Sequence, residues 1–364
     1  MNIVWFTWKD IMHPEAGGAE KISSEMAKRL AKDGHQVTVL TSRFPGSKHE
    51  EDFSGYKIIR VGNRFTVYIL AGWYFIKHLR TSTDLIIEEI NTIPFMTQWY
   101  SNCKRSLVIY QLCREIWFYQ IPFPISLIGY IFEPIYLFFL RKNYVITESN
   151  STKDDLLLYG FSKNLISILP IFIDAKTSQS AMKKNPKTIL SLGSVRPMKR
   201  TLDQVRAFEL AKEKIADLTL IVAGDSTGVY GAKVKEYIKI SPYIKDIRVL
   251  GKVTDSIKNN CLNESGVLLM TSIKEGWGLT VTEAASQGTS TIGYNVDGLR
   301  DSIAASKGGK IVDSNIESMA SAIVEFILKN DNDEKVLISS TKNLSAENTY
   351  NNFVSICKKN HLFQ

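Results

Sequence analysis

Short apolar runs alternate along the chain with segments whose apolar residues recur at helical spacing. Residues 2–8 predict a strand, and residues 19–32, with Ile22, Met26 and Leu30 on one face, predict a helix. Residues 36–41 return to a strand, which completes a predicted β-α-β unit. Further strands are predicted at 57–61, 84–89, 106–111, 143–147, 188–192, 218–223, 247–250, 266–270 and 289–294.

This rhythm runs through both halves of the chain and predicts an α/β protein with two domains. Residues 1–173 and 188–347 are the predicted domains, and the polar segment 174–187 has the composition of a linker. Two such domains imply a cleft between them. Because ligands of open α/β sheets bind outside the carboxyl ends of the strands, we expect the chemistry in loops that follow strands.

Composition and charge indicate an ordinary globular protein but do not identify its ligand. The apolar fraction of 44% and the charged fraction of 23% are ordinary globular values, and the net charge of +8 favours anionic partners. The four cysteines lie far apart without metal-ligand spacing, and the first residues lack a basic lead and a cleavage site, so we expect a cytoplasmic protein. The most apolar segment, 123–140, contains Glu133 and Pro134 and can at most lie on a membrane.

Two carboxylates flank a pair of glycines in the stretch E-G-W-G-L-T-V-T-E, residues 275–283. Thr280 is predicted to cap a helix over 281–287, which places Glu283 at the third helical position and leaves Glu275 in the loop. Thr280 and Glu283 form either a capping box alone or a capping box that also binds a ligand. Glu275 is either a solvated loop acid or a ligand-binding acid, and the glycines favour binding because they let a ligand approach the backbone.

The start of this helix offers N–H groups to an anion. A diphosphate bound by Gly278, Leu279 and Thr280 would lie between Glu275 and Glu283, and each acid could then accept hydrogen bonds from hydroxyl groups. Hexose, diphosphate and ribose follow one another in this order in a nucleotide-sugar.

Four further segments carry a resemblance that covers nearly the whole chain. They are H-P-E-A-G-G-A-E at 13–20, L-G-S-V-R-P-M-K-R at 192–200, V-A-G-D at 222–225 and E-A-A-S-Q-G-T-S-T at 283–291. Together with the E-x7-E pattern, their order and spacing resemble the retaining glycosyltransferases of family 4. The resemblance implies the GT-B fold, in which two Rossmann-like domains with parallel sheets face an inter-domain cleft. It also implies that a C-terminal helix, here 348–360, packs back on the first domain.

The resemblance implies a role for each matched residue. Glu275 would contact hydroxyls of the donor sugar, Glu283 the ribose diol and Lys199 the diphosphate, where a cation stabilises the leaving group. The alternative for Lys199 is a solvated lysine in a basic turn. Gly17 and Gly18 match a pair whose N–H groups face the same diphosphate. The predicted donor-binding residues are Gly17, Gly18, Arg196, Lys199, Val253, Glu275, Gly276, Gly278, Leu279, Thr280 and Glu283.

The chain departs from the family pattern at two positions. The arginine expected after the first glycine of 192–200 is Ser194, and Arg196 is the candidate to supply the missing charge. The histidine that many relatives carry at the end of a middle strand is matched by Tyr110, with Gln111 as a rival. The predicted catalytic residues are therefore Glu275, Lys199 and Tyr110.

The resemblance implies transfer of a hexose from a UDP- or GDP-sugar to the hydroxyl of a glycan or lipid-linked acceptor, in cell-surface polysaccharide or glycoconjugate synthesis. Configuration at the anomeric carbon would be retained, and no cofactor or essential metal is implied. The D-x-D of residues 331–333 follows no predicted strand and is interpreted as a turn. Since no carboxylate is evident as a nucleophile, same-face substitution is favoured over a covalent intermediate.

The segment 116–140 is unusually rich in aromatic and aliphatic residues. The favoured interpretation is a pair of helices buried against the first sheet. The alternative is a surface that meets an anionic membrane or a lipid-linked acceptor, which the positive charge would assist. In that case the enzyme would work at the inner face of the membrane.

Three other functions stay open. A nucleotide-sugar epimerase shares the architecture and would change its donor without an acceptor. A catalytically weak nucleotide-sugar-binding protein fits the departures at Ser194 and Tyr110. Only the net charge suggests a nucleic-acid binder, and since no basic run with interleaved aromatics supports it, we expect no nucleic-acid partner.

Overall fold

The structure, a computed structural model, describes residues 1–173, 184–329 and 333–363. These residues form two compact units. Unit 1 contains Met1–Trp117, Phe123–Phe172 and the segment from Ala346, and unit 2 contains Phe118–Pro122 and Ile173–Ser345. Most of the predicted linker, residues 174–183, lies outside the described residues, as do Asp331 and Asn332 of the D-x-D motif.

An eight-stranded sheet forms the centre of unit 1. Its strands are β1 (Asn2–Phe6), β2 (Gln36–Thr41), β3 (Glu50–Phe53), β4 (Tyr56–Arg60), β5 (Leu85–Glu89), β6 (Lys104–Val108), β7 (Tyr144–Thr147) and β8 (Ile166–Ile168). The helices up to residue 173 are α1 (Gly18–Lys32), α2 (Val67–His78), α3 (Trp117–Gln120), α4 (Ile125–Leu140) and α5 (Asn150–Leu158). The strand order is β3-β4-β2-β1-β5-β6-β7-β8, and every pair is parallel except β3 with β4.

A six-stranded parallel sheet forms the centre of unit 2. Its strands are β9 (Asn185–Leu192), β10 (Thr219–Ala223), β11 (Ile247–Gly251), β12 (Ser265–Met270), β13 (Ser290–Tyr294) and β14 (Gly309–Val312). The helices that follow residue 200 are α6 (Thr201–Lys212), α7 (Val229–Lys239), α8 (Asp255–Glu264), α9 (Leu279–Ser286), α10 (Leu299–Ser306), α11 (Ile316–Lys329), α12 (Glu334–Thr341) and α13 (Ala346–Lys359). The strand order is β11-β10-β9-β12-β13-β14.

The predicted α/β class, with two Rossmann-like units of parallel sheet, is confirmed by these two sheets. Ile22, Met26 and Leu30 are buried on α1, as their helical spacing predicts. Three strands were not predicted from the sequence, namely β3, β8 and β14. Each lies at the edge of a sheet, where a strand is short or half-exposed and needs no continuous apolar run.

The first strand of unit 2 begins before residue 188, and unit 2 ends at Ser345, two residues before the predicted boundary at 347. β9 begins at Asn185, inside the segment predicted as a linker. α13 belongs to unit 1, where the ring of Phe353 stacks on Trp5 with 6.3 Å between ring centroids. The hydroxyl of Tyr350 donates to Asp33 at 2.6 Å, which also ties α13 to the end of α1.

The favoured interpretation of residues 116–140 as a buried helix pair is wrong for the outer side of α4. Ser126, Glu133, Leu137 and Leu140 are the buried residues of this helix, and most of its other large apolar side chains are exposed. α4 packs with one side only because the sheet lies on one side of it. Among the described residues, none of the helices combines the length and the apolar character that crossing a membrane requires.

Candidate active site

The predicted donor site lies at the topological switch point of the sheet in unit 2. The chain runs from β9 outward through β10 to β11, and then returns to β12 on the other side of β9. The loops that follow β9 and β12 are therefore neighbours at the carboxyl edge, where open α/β sheets bind ligands. Two hydrogen bonds join these loops, from the Ile273 N–H to the Met198 carbonyl at 2.8 Å and from the Thr271 hydroxyl to the Lys199 carbonyl at 2.7 Å.

Lys199 and Glu275 meet at this point. Lys199 ends the 3-10 turn Pro197–Lys199, and its ammonium group forms an ion pair with Oε1 of Glu275. The hydroxyl of Ser272 donates to the same carboxylate oxygen at 2.6 Å. Both charged side chains stay partly exposed, Lys199 at 23% and Glu275 at 13%. A cation and a carboxylate are thus held together on a surface that solvent can reach.

The loop that carries Glu275 is fixed by the loop after β13. The Glu275 N–H donates to the Asp297 carbonyl at 3.1 Å. Although burial opposes ionisation, Lys274 and Arg300 hold the pKa of the Asp297 carboxyl below its ordinary value. Gly298 has a φ of +75°, and a Cβ there would lie 2.3 Å from the Glu275 carbonyl oxygen. This close approach requires glycine, so Gly298 helps to set the position of Glu275.

The helix of the E-x7-E stretch begins earlier than predicted. Thr280 was predicted as its N-cap, but the N-cap is Gly278, whose φ of +92° turns the chain directly into α9. Thr280 therefore lies in the first turn and Glu283 at the fifth helical position, so the predicted capping box is wrong. The Trp277 indole N–H donates to the Thr282 hydroxyl at 2.8 Å and covers this turn. The first N–H groups of a helix lack i−4 carbonyl partners, so the start of α9 can offer N–H groups to an anion.

Glu283 is paired with a lysine that the sequence analysis did not identify. Lys258 on α8 places its Nζ 2.7 Å from Oε1 of Glu283 and 3.3 Å from Oδ1 of Asp255. Burial opposes the charge of Lys258, but the two carboxylates raise its pKa above the ordinary value. No sequence motif marks Lys258, because the contact depends on how α8 packs beside α9.

The remaining predicted residues of unit 2 lie in loops at strand ends. Arg196 is exposed and directly precedes the turn that ends at Lys199. Ser194 is partly exposed in the same loop, and Val253 is partly exposed after β11. Gly276 lies between Glu275 and the start of α9. The structure thus brings Lys199 and Glu275 together next to the start of α9. Arg196, Ser194, Val253 and Gly276 lie in loops that follow strands of the same sheet.

In unit 1, Gly17 and Gly18 form the start of α1. Gly17 is the N-cap, and its N–H donates to Oε2 of Glu20 at 2.7 Å, with Lys9 3.4 Å from the same oxygen. An anion that takes the Gly17 N–H must therefore displace the Glu20 carboxylate. Gly18 begins the helix and belongs to its first turn, whose N–H groups point away from the helix body.

Tyr110 lies two residues beyond β6, at the carboxyl edge of the sheet in unit 1. Its side chain is largely buried, and its hydroxyl is 3.4 Å from the Ala19 carbonyl oxygen in the first turn of α1. Burial raises the pKa of Tyr110 well above its ordinary value, and nearby carboxylates add to this. The phenol is therefore held neutral, as a hydrogen-bond donor. It lines a small cavity with Trp5, Glu148 and Phe353.

The buried carboxyl groups of Glu89 and Glu20 interact through their charges, which the sequence analysis missed. Glu89 at the end of β5 accepts hydrogen bonds from the Trp5 indole at 3.1 Å and from the Asn91 amide at 2.9 Å. Burial raises the pKa of Glu89 to about 7, and the carboxylate of Glu20 contributes to this. The available signal was the two successive glutamates, Glu88 and Glu89, that end the otherwise apolar strand β5.

Two family models match this chain, one for each half. The model described as Glycosyltransferase Family 4 matches residues 16–177, and the model described as Glycosyl transferases group 1 matches residues 172–344.

Relatives and solved structures with similar folds agree with these matches. N-acetyl-alpha-D-glucosaminyl L-malate synthase of Bacillus anthracis is 22% identical over 325 residues, which cover 80% of this chain and 79% of that protein. A glycosyltransferase from Rickettsia africae has a TM-score of 0.76 at 19% identity, with 98% of each chain covered. Anabaena HepE, solved in complex with UDP and glucose, has a TM-score of 0.72 at 12% identity, with 99% of this chain and 100% of that chain covered.

The solved structures share the GT-B fold of glycosyltransferases, and the two family models together extend from residue 16 to residue 344. The chain therefore belongs to the glycosyltransferases of family 4, and it is a glycosyltransferase.

Proposed function

We propose that this glycosyltransferase moves a hexose from a UDP- or GDP-sugar to a hydroxyl of a glycan or lipid-linked acceptor, with retention of configuration. The observation that carries the proposal is the ion pair of Lys199 and Glu275 at the switch point of the sheet, next to the start of α9. A cation and helix N–H groups suit a diphosphate, and a carboxylate suits sugar hydroxyls. A donor with both parts would fill this site.

In the proposed reaction, the bond between the anomeric carbon and the diphosphate oxygen breaks, and negative charge builds on the leaving diphosphate. Lys199 turns its ammonium group from Glu275 to that oxygen, and the start of α9 and Arg196 add to the stabilisation. Glu275, released from the lysine, accepts hydrogen bonds from the sugar. The acceptor hydroxyl attacks from the face that the diphosphate leaves, which retains the configuration, and gives its proton to the departing diphosphate oxygen.

Glu283 completes the donor site in this proposal. Its carboxylate is oriented by Lys258 and is 24% exposed, so it can accept hydrogen bonds from the ribose diol without losing its partner. Val253 is proposed to meet the base through its backbone. The charges that hold the diphosphate come from protein groups, so the proposal requires no metal ion.

The proposal gives unit 1 the acceptor side of the reaction. Tyr110 replaces the histidine of many relatives as a neutral hydrogen-bond donor, a role that its burial near the start of α1 supports. Gly17 and Gly18 are proposed to offer N–H groups to the donor diphosphate. We further propose a cytoplasmic enzyme at the inner face of the membrane, where acceptors for cell-surface polysaccharide or glycoconjugate are assembled.

Two relatives support a sugar nucleotide as the donor. The Anabaena structure holds UDP and glucose, and the Bacillus anthracis protein is named for joining an N-acetylglucosaminyl group to malate. Both names describe a sugar of hexose type. They leave the acceptor of this chain to be identified by experiment.

The first test is a thermal-shift panel of UDP, GDP and their sugars, because a ligand that binds the folded state raises the melting temperature. With the donor so identified, Lys199→Ala and Glu275→Ala should abolish transfer while the melting temperature of the free protein stays close to that of wild type. Lys310→Ala is the matched control, since Lys310 forms an exposed ion pair with Glu325 in the same unit. Unaltered turnover in both site variants contradicts the proposed site.

Two product analyses separate the alternatives. If the donor is converted to an isomeric sugar nucleotide in the absence of any acceptor, the proposed transfer to an acceptor hydroxyl is contradicted in favour of epimerisation. If nucleotide binds without turnover against a panel of acceptors, the protein is a binding protein. The NMR coupling constant of the anomeric proton in the product should match that of the donor. An inverted anomer contradicts the proposed same-face reaction.

A further inference from the structure

We propose that unit 1 docks on an anionic lipid bilayer through a continuous apolar face made by α2, the 3-10 turn Thr97–Trp99 and α4, here called the docking face. The inference rests on the proposed function in one respect, namely that unit 1 holds the acceptor side of the reaction. The docking face itself is argued from the contacts, exposure and charges of unit 1 alone.

Large apolar side chains are concentrated on this face. Four on α2, eight on α4 and Trp99 in the turn are exposed. Ile69 is 77% exposed, Trp99 66% and Phe132 58%. Single exposed apolar residues are ordinary on a protein surface. A large group of them on neighbouring elements marks a surface that binds a membrane or another protein.

Direct contacts make the three elements continuous. A Cβ on Gly72 of α2 would lie 3.2 Å from the ring of Tyr100, which directly follows the turn. The ring of Trp99 lies 5.9 Å from that of Phe139 on α4, edge to face. The side-chain amide of Gln98 also donates to the Phe139 carbonyl at 3.2 Å. These contacts place α2, the turn and α4 side by side, and each of the three elements carries exposed apolar side chains.

The only acid within α4 is turned away from the docking face. Glu133 is buried and accepts hydrogen bonds from the N–H groups of Cys113 and Arg114 at 2.7 Å each and from the Trp117 indole at 3.1 Å. This anchoring fixes the rotation of α4, so its outer side carries aliphatic and aromatic residues. With 16 residues α4 is about 24 Å long, less than the roughly 30 Å thickness of the bilayer core, and it suits a position in the plane of the membrane.

Positive charges border the docking face, and they favour an anionic bilayer over a neutral apolar partner. Lys77 and Arg80 lie at or just after the end of α2, and Arg141 and Lys142 directly follow α4. The Lys77 ammonium lies 4.8 Å from the centre of the Trp73 ring. Residues 64–80 contain no acid, and residues 117–142 contain only the buried Glu133. Cations beside interfacial aromatics match anionic headgroups above an apolar layer.

The test is co-sedimentation of the full chain with vesicles of phosphatidylcholine alone or mixed with phosphatidylglycerol. We expect binding to the mixed vesicles that weakens as salt is added. The double variant Trp73→Gln, Phe132→Gln should bind on the order of tenfold or more weakly, because two large side chains no longer enter the bilayer. The matched control is Val229→Gln, Ile240→Gln, which changes two highly exposed apolar residues of unit 2 and should bind as wild type does.

Nucleotide thermal shift is measured on the same samples, so that docking and donor binding are read separately. Loss of vesicle binding supports the docking face when the nucleotide shift and the melting temperature of the free protein are both unchanged, since the latter shows that unit 1 is folded. Equal binding by wild type and the double variant overturns the proposal. A second result also overturns it. If the wild type does not bind vesicles but forms a dimer in light scattering, and the double variant is a monomer, the face joins two copies of this chain.

Discussion

Replacing Glu89 by glutamine should stabilise the protein at neutral pH, although it removes a buried, hydrogen-bonded side chain. The Glu89 carboxyl is 1% exposed and lies near Glu20, so its charged form is disfavoured in the folded state. Glutamine has nearly the same shape and is neutral at every pH. Its carbonyl oxygen can still accept the hydrogen bond from Trp5, and the Asn91 side chain, which donates to the other carboxylate oxygen, can flip so that its own oxygen accepts from the new amide.

The size of the effect follows from the pKa of Glu89, which is about 7 in the folded state against 4.5 ordinarily. Between these values the unfolded chain loses the proton while the folded state keeps it, so the folded state becomes less stable as the pH rises. Each pH unit costs about 1.4 kcal/mol. By pH 8 the wild type should have lost on the order of 3 kcal/mol relative to pH 4, and Glu89→Gln should not show this loss.

Urea unfolding at pH 5 and pH 8, followed by tryptophan fluorescence, measures this difference. Five of the six tryptophans belong to unit 1, so the signal reports mainly on the unit that contains Glu89. Glu115→Gln, at an exposed position near the end of β6, is the matched control for removing one carboxyl group. If Glu89→Gln loses as much stability between pH 5 and pH 8 as wild type does, the buried carboxyl pair does not behave as argued.

Three further predictions concern the strained loop, the buried ion pair and the candidate hydrogen-bond donor. Gly298→Ala should lower kcat/KM on the order of tenfold or more, because the new Cβ displaces the loop that carries Glu275, the proposed sugar-binding acid. Gly228→Ala, with open space and an ordinary φ, should be neutral in the same assay. Arg60→Met should destabilise unit 1 by about 3–5 kcal/mol in urea unfolding, because it leaves the buried Asp10 carboxylate unpaired, and adding Asp10→Leu should restore much of the loss. Tyr110→Phe should lower kcat with little change in the melting temperature, and an unchanged kcat would remove Tyr110 from the reaction.

The fold was predictable because the buried strands of parallel sheets are nearly continuous apolar runs. β5, β12 and β13 are buried at every position, and each was predicted within one residue of its bounds. Three of the four edge strands, β3, β8 and β14, gave no such signal, whereas β11 was predicted. β3 has the sequence E-E-D-F and pairs on one side only, so it depends on β4 rather than on burial. The face of α4 was misjudged because two polar residues of this helix, Ser126 and Glu133, lie on its buried side, where sequence reasoning expects apolar residues.

The meeting of Lys199 and Glu275 at the candidate donor site was predictable for a topological reason, whereas the other contacts there were not. The acid Glu275 follows β12 and the lysine Lys199 follows β9, and a doubly wound sheet brings the loops after these strands together. The partner of Glu283 was beyond sequence reasoning, since Lys258 reaches it across two packed helices. Such a contact has no fixed spacing in the chain.

Because α9 begins earlier than predicted, helix capping no longer explains Glu283, the second acid of E-x7-E. Had Thr280 capped the helix, the carboxylate of Glu283 would have been bound to the backbone, and its presence in the sequence would need no ligand to explain it. With Gly278 as the N-cap, that structural explanation no longer applies. What remains is a partly exposed carboxylate held by Lys258 on the neighbouring helix. An ion pair of this kind contributes little to stability, so the stability of the fold alone gives little reason for an acid at this position. A ligand with paired hydroxyl groups gives a better one, because Lys258 holds the carboxylate in place while part of it stays exposed to accept hydrogen bonds.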